Sequence, residues 1–279
     1  MAWPSMTGTK LKQQDVEGAV AAAERVVDVH RALAEFLEPG LTLAQIDRFV
    51  GEKLTELGCK SCFYGYRAGG AMPPFPSQAC LSVNECVVHG TAGYYEAGMK
   101  PGDVLKIDIG VSYKGWIGDA AWTYVFGEMT PEVKRLTDVG KRSLELGVQE
   151  LQPGAPLLNW AEAVQSYVED ESGLHLVRGL GGHGYGRKLH APPHVSNTRP
   201  RYPGEWPDAS TLCKPGMLLA VEPMLALGTG DTAHPPRTWP IYTADGSLAA
   251  HYEHDVLITE DGPRVLTAAL QDLPDVIPC

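Results

Sequence analysis

Four acidic residues fall where the sequence pattern calls for strands. Asp108 lies in Lys106-Ile107-Asp108-Ile109-Gly110-Val111, and Asp119 follows in Trp116-Ile117-Gly118-Asp119. Alternation puts Leu105, Ile107, Ile109 and Val111 on one face and Asp108 on the other. A hairpin centred on Tyr113-Lys114-Gly115 would set Asp108 opposite Asp119, with side chains about 5 Å apart. Two like charges at that distance call for a shared proton or a cation between them. A bulge or a longer loop would instead leave both solvated. Glu222 follows the apolar run Leu218-Leu219-Ala220-Val221, and Glu253 lies within the strand-like stretch from Ala249 to Ile258. A carboxylate buried in such a place needs a partner. Taken singly, Glu222 and Glu253 each read as a rim charge rather than a ligand; the four acids together read as a shared metal site.

Histidines supply the remaining chemistry. His183 sits in Gly181-Gly182-His183-Gly184-Tyr185-Gly186, a stretch bare of side chains where backbone and substrate can approach. His190 follows seven residues on, before Pro192-Pro193, and His89 ends the apolar run Cys86-Val87-Val88. His30, His194 and His234 read as ordinary hydrogen-bonded side chains. Gly179-x-Gly181-x-x-Gly184 matches the dinucleotide fingerprint by letter. That fingerprint needs a helix opening on its glycines, and Pro192-Pro193 would stop any such helix within two turns.

The elements that must position these groups are legible from periodicity and breakers. Apolar residues at helical spacing run from Val16 to Leu37, Glu38-Pro39-Gly40 breaks the run, and Thr42 reads as the N-cap of a second helix to Leu57. Strand-like runs follow at 79–88, 103–111 and 117–126. Helices are predicted at 131–150 and 157–170, then strands at 217–224 and 249–259. Leu37-Glu38-Pro39-Gly40 echoes Leu151-Gln152-Pro153-Gly154, and Lys100-Pro101-Gly102 echoes Lys214-Pro215-Gly216, both at an offset of 114 that also aligns Asp108 with Glu222. Two echoes at one offset predict a duplicated helix–helix–strand half, with helices outside an antiparallel sheet and a site in the cleft between halves.

Composition bounds the rest. The 279 residues, 44% hydrophobic and 20% charged, are enough for a large core and argue against disorder. Asp+Glu 34 against Lys+Arg 23 gives a net charge of −11, which disfavours a nucleic-acid surface. No apolar run is long enough to predict a membrane span. Met1 to Gln14 is polar and does not read as a signal peptide. Cys59, Cys62, Cys80, Cys86, Cys213 and Cys279 read as reduced thiols, and Cys59-x-x-Cys62 lacks a second zinc-ligand pair. Residues 1–14 are expected as a tail, 15–265 as one catalytic domain and 266–279 as a C-terminal tail.

With these segments in order, the chain resembles the type I methionine aminopeptidases of bacteria. Ser82-Val83-Asn84-Glu85-Cys86-Val87-Val88-His89-Gly90, the stretches around Asp108 and Asp119, Gly182-His183-Gly184-Tyr185-Gly186-Arg187 with His190, Val221-Glu222-Pro223-Met224, and Tyr252-Glu253-His254 carry the resemblance. It implies an α+β pita-bread fold with pseudo-two-fold halves around a curved antiparallel sheet. It also implies two divalent ions, Co, Mn, Fe or Zn, held by Asp108, Asp119, His183, Glu222 and Glu253, with Asp119 and Glu253 bridging. Such ions activate water against a peptide carbonyl. Glu222 would then take and return the proton, His190 would donate to the oxyanion, and His89 would contact the scissile amide. Tyr66, Phe75, Cys80 and Trp239 match the positions of the methionine pocket. The implied reaction removes the initiator methionine of nascent polypeptides when the second residue is small, in the cytoplasm, at the ribosome and as a monomer, with no nucleic-acid or membrane partner. Prolidases and proline-directed aminopeptidases of the same fold, and a non-catalytic binding protein, are the competing readings. Departures from the pattern include about six extra residues within Arg67–Pro74, Leu189, Ala191, and His251 two residues before Glu253.

Overall fold

A computed structural model of the chain describes residues 12–70 and 72–279; most of the expected N-terminal tail lies outside them. Helix α1 (Gln13–Phe36) ends one residue before the sequence expectation. Helix α2 (Leu43–Glu56) starts on Thr42, whose hydroxyl accepts from Gln45 N while Gln45 Oε1 accepts from Thr42 N at 2.9 Å. This reciprocal cap satisfies two amides that the first helical turn leaves open. Strands β1 (Lys60–Ser61), β2 (Cys80–Val83) and β3 (Cys86–Val88) lead to a long hairpin of β4 (Val104–Tyr113) and β5 (Trp116–Phe126). Helices α3 (Pro131–Gln149) and α4 (Leu158–Gln165) follow, the first capped by Thr130 with Pro131 at its first position. The predicted helix 157–170 is not uniform, because after Gln165 it widens into a π turn over Ser166–Glu171.

The second half continues with β6 (His175–Leu176), β7 (Gly181–Gly184), β8 (Ala191–Ser196), β9 (Leu218–Val221) and β10 (Met224–Ala226). After β11 (Thr232–Ala233) and β12 (Ile241–Thr243) come β13 (Ala249–His251), β14 (His254–Thr259), β15 (Gly262–Val265) and β16 (Val276–Ile277). Two five-stranded sheets result. The first has the path β1-β4-β5-β16, with β2 also paired to β4; the second runs β15-β14-β9-β7-β8. Helix α1 packs on β5 so closely that a Cβ on Gly118 would lie 2.5 Å from the Ala22 carbonyl oxygen. Only glycine permits that approach. The large core joins both halves, and Trp122 of β5 meets Tyr252 edge to face at 4.9 Å.

Several expectations are corrected. The hairpin turn is the two-residue pair Lys114-Gly115, both with positive φ (50° and 79°), which centres it later than expected. Asp119 therefore pairs with Gly110, and Asp108 pairs with Ala121. The two aspartates share a face but stand diagonally rather than opposite. The run 79–88 splits into β2 and β3 around Asn84 (φ 52°). Glu222-Pro223 and Tyr252-Glu253 interrupt the two later runs, so Glu222 and Glu253 lie between strands rather than on them. Proline at 223 has no N–H to offer a ladder. The segment after 265 is no tail: Leu270 and Ile277 are buried, and β16 adds a parallel strand to the edge of β5.

Candidate metal centre

The β4–β5 hairpin delivers the first two acids. Because both strands are fully paired, register alone fixes where Asp108 and Asp119 emerge. Each has one buried carboxylate oxygen, Oδ1, without a hydrogen-bond partner. A buried anionic oxygen with no donor is costly unless a proton or a cation meets it.

The second half brings its groups to the same place. β9 pairs with β14 and β10 pairs with β13 in one continuous register, so Glu222 faces Glu253 across the shared interruption. The break lets Glu253 N donate to Ala121 O of β5 at 2.9 Å, which joins the halves beside the acids. Asn197 Nδ2 holds the Glu222 carbonyl at 2.9 Å. His183, on β7, has Nδ1 3.2 Å from Gly184 O, which sets that nitrogen as the donor. Its Nε2 then points a lone pair toward Asp119 Oδ2, 3.8 Å away. Donor atoms of Asp119, His183 and Glu253 lie within 4.8 Å of one another, and so do those of Glu222, His251 and Glu253.

Electrostatics agree with an acid cluster built for cations. Burial, then the charge on Glu222, pushes Asp108 up to about 7, and burial raises Glu222 to about 8. Asp119 and Glu253 are held well above the usual carboxylate range by burial and by their acidic neighbours. Burial lowers His89, His183 and His251 to about 4, so all three are neutral imidazoles near pH 7. Four carboxyl groups and neutral ring nitrogens make a donor set suited to borderline divalent ions rather than to thiolate-selecting ones. The residues present fit a pair of such ions.

Above the acids the cavity turns apolar. It measures about 220 Å³ and is lined by Asp108, Asp119, His183, Glu222 and Glu253 on one side. Tyr66, Phe75, Cys80 and Trp239 line the other, with His89 and His190 between. Phe75 and Tyr66 flank the Trp239 ring at 5.1 and 6.5 Å, and His89 meets its edge at 6.2 Å. Tyr66 Oη lies 2.9 Å from His190 Nδ1. Cys80 pairs with Asp108 across β2 and β4, and burial with that neighbouring carboxylate raises its thiol far above its ordinary value. The Tyr66 and Phe75 backbones pair with each other, and the carbonyl of Pro73, just before Phe75, accepts from Trp239 Nε1 at 3.1 Å. It thus braces one wall of the pocket.

The model of metallopeptidase family M24 matches residues 17–260. The chain belongs to that family. Methionine aminopeptidase 1 of Bacillus subtilis is 36% identical over 251 residues, 90% of this chain and 95% of that protein. A methionine aminopeptidase structure from Thermotoga maritima superposes with a TM-score of 0.83 at 34% identity, covering 93% of this chain and 98% of that one. An X-Pro aminopeptidase from Thermotoga maritima shares the fold (TM-score 0.72) at 18% identity, covering 96% of this chain and 64% of that one. The M24 chain has the pita-bread fold and is a metal-dependent aminopeptidase that uses divalent ions.

Two site residues were not singled out by sequence reasoning. Phe63 joins the aromatic wall, 6.2 Å from Phe75. Its signal was present as the first aromatic of Phe63-Tyr64-Gly65-Tyr66, but Tyr64 in the same run is 63% exposed, so the run itself does not say which ring turns inward. His251 enters the acid cluster, with Nε2 3.0 Å from Glu222 Oε2. It stood out only as a departure from the family pattern.

Proposed function

We propose that the chain removes the N-terminal methionine from peptides and nascent polypeptides whose second residue is small. The observation that carries this reading is the union, in one small cavity, of an acid–imidazole floor and an aromatic–thiol wall. At about 220 Å³ the cavity is below the roughly 300–1,000 Å³ typical of drug-sized ligand pockets. It suits one long apolar side chain, and a soft-walled aromatic pocket favours a thioether. Asp108, Asp119, His183, Glu222 and Glu253 would hold the two ions. The ions supply Lewis acidity, which lowers the pKa of water and polarises a carbonyl.

The side chains carry the remaining work. Glu222 takes the proton of the attacking water and returns it to the departing amine; a carboxyl raised by burial suits a base near neutral pH. Tyr66, donating to His190 Nδ1, places the imidazole proton on Nε2, where it meets the developing oxyanion. His89, neutral and packed on Trp239, contacts the scissile amide. Trp239, Phe75, Tyr66 and Cys80 orient the methionine side chain. On this reading the enzyme works in the cytoplasm, as a monomer, on chains emerging from ribosomes.

Hydrolysis of Met-Ala-Ser against Leu-Ala-Ser, Met-Leu-Ser and a Xaa-Pro dipeptide tests the reading. Cleavage of Met-Ala-Ser alone, lost on chelation and restored by Co(II) or Mn(II), is expected. Preferential cleavage before proline would move the chain to the prolidase-like group, and no metal-dependent hydrolysis of any peptide would leave a binding protein.

A further inference from the structure

The residues between Tyr66 and Phe75, where the chain departs from the family spacing, are tied to the pocket from outside it. At their neck Phe75 N donates to Tyr66 O and Gly65 N donates to Phe75 O, each at 2.8 Å. Ala68 lines the cavity. Met72 is half-buried against the apolar cluster that contains Phe63, Phe75, Leu189 and Trp239. Pro73 O accepts the one donor of the Trp239 indole, Nε1, at 3.1 Å. Pro73 and Pro74 themselves are exposed.

The ring contacts of Trp239 are to Phe75, Tyr66 and His89, at 5.1, 6.5 and 6.2 Å between centroids. Contacts of this kind tolerate a range of ring tilts. A hydrogen bond is more exacting, because it weakens steeply once bent. The bond to Pro73 is therefore what singles out one orientation of the indole. Its acceptor is stiffly held. Pro73 and Pro74 each fix φ and lack an N–H, and each confines the residue before it to extended backbone. Met72-Pro73-Pro74 is thus a strut with half-buried Met72 as its foot. The other limb carries Gly69 and Gly70, at φ 92° and 60°, and has no such stiffening.

We propose that Met72-Pro73-Pro74 is a specificity-determining strut that acts through Trp239. By fixing the indole plane it keeps the pocket at about 220 Å³, so that an unbranched first side chain enters and a branched one is refused. Pro73 is a positioning residue, since it touches the ring and not the reacting atoms. Selection of the first residue is then set partly by residues outside the pocket wall. The inference rests on the methionine reading proposed above, and its test keeps the two apart.

Two variants of the metal-loaded enzyme are compared with the parent on Met-Ala-Ser and Leu-Ala-Ser. In the first, an Asn-Gly turn replaces residues 67–74 and closes the same neck. In the second, Pro73→Gly with Pro74→Gly keeps the carbonyl and loosens the strut. A parent with no preference for methionine overturns the functional reading and this inference with it. With that preference present, the turn variant should raise KM for Met-Ala-Ser about five- to ten-fold, the worth of one hydrogen bond, with kcat within about three-fold. Its preference over Leu-Ala-Ser should fall by a similar factor. The Trp239 indole N–H resonance, assigned with Trp239→Phe, should move upfield and exchange faster with solvent. An unchanged KM and preference overturns the inference and leaves the functional reading standing; so does an unmoved indole resonance. Should the turn variant not fold, the double-glycine variant decides alone. It should raise KM about two- to five-fold and move the same resonance, and parent-like values in it overturn the inference.

Discussion

The two halves carry the same task with different backbones. In the first, Asp108 and Asp119 emerge from an unbroken ladder, and a Lys114-Gly115 turn sets their spacing. In the second, Glu222 and Glu253 emerge from gaps, and side chains hold what the ladder does not: Asn197 on the Glu222 carbonyl, and Thr123 on both the amide and the carbonyl of His251. A register is rigid but offers only fixed positions, whereas a gap frees the backbone to reach another element, as Glu253 N does to Ala121 O. Ligand placement in the first half is thus a property of the sheet. In the second it is a property of individual hydrogen bonds.

The comparison can be pressed hardest at the acids. Asp119→Asn or Glu253→Gln, one from each half, should lower kcat/KM by about a thousand-fold or more and reduce bound metal, without loss of helical circular dichroism. A loss confined to one half would break the claim that both halves feed one site. His190→Ala should cost about a hundred- to a thousand-fold in kcat with metal content unchanged, if, as proposed, it serves the substrate rather than the ions. An equal fall in metal content would make it a ligand.

Smaller effects separate ladder from gap. Asn197→Ala removes the clamp on Glu222, so it should cost about 1–3 kcal/mol of stability and also weaken metal binding, read by thermal melting and titration. Gly115→Ala strains a residue at φ 79° and should cost about 1–2 kcal/mol while leaving metal affinity unchanged. Equal effects of both on metal affinity would erase the distinction drawn here. The pH response is the mildest test. Asp108 and Glu222 sit near 7 and 8 when folded but near 4 when unfolded, so the metal-free protein holds protons that the unfolded chain gives up. Their contribution is full below about pH 4 and drains as pH rises to about 8. The buried histidines act in the opposite sense below about 6.5, and buried Lys106, lowered to about 7, does so above that pH, but the raised acids, Asp119 and Glu253 among them, outnumber it. Between pH 6.5 and 8 the metal-free melting temperature should therefore fall by several degrees, and saturating Mn(II) should remove the slope.

Much of this was readable in the sequence, because chemistry and breakers are local. The acids, His183, the Thr42 cap and the offset of 114 all lie in short segments. Register was not readable. Lys114 takes a left-handed conformation that residue type does not announce, unlike asparagine or glycine, and a turn misplaced by one residue moved Asp119 two positions along its partner strand. Pro223 marks the interruption at Glu222 locally, whereas the one at Glu253 goes with its amide's bond to Ala121 of β5, more than a hundred residues away in sequence. The strand Val276–Ile277 has only two residues and a parallel partner near 125, too little pattern to see from the chain alone. His251 was visible as an odd letter, and only the fold showed what it faces.

The amide of Glu253 reaching Ala121 has a mechanical consequence. It rivets the irregular half onto the regular one beside the acids, so neither sheet can slide without dragging a carboxyl group along.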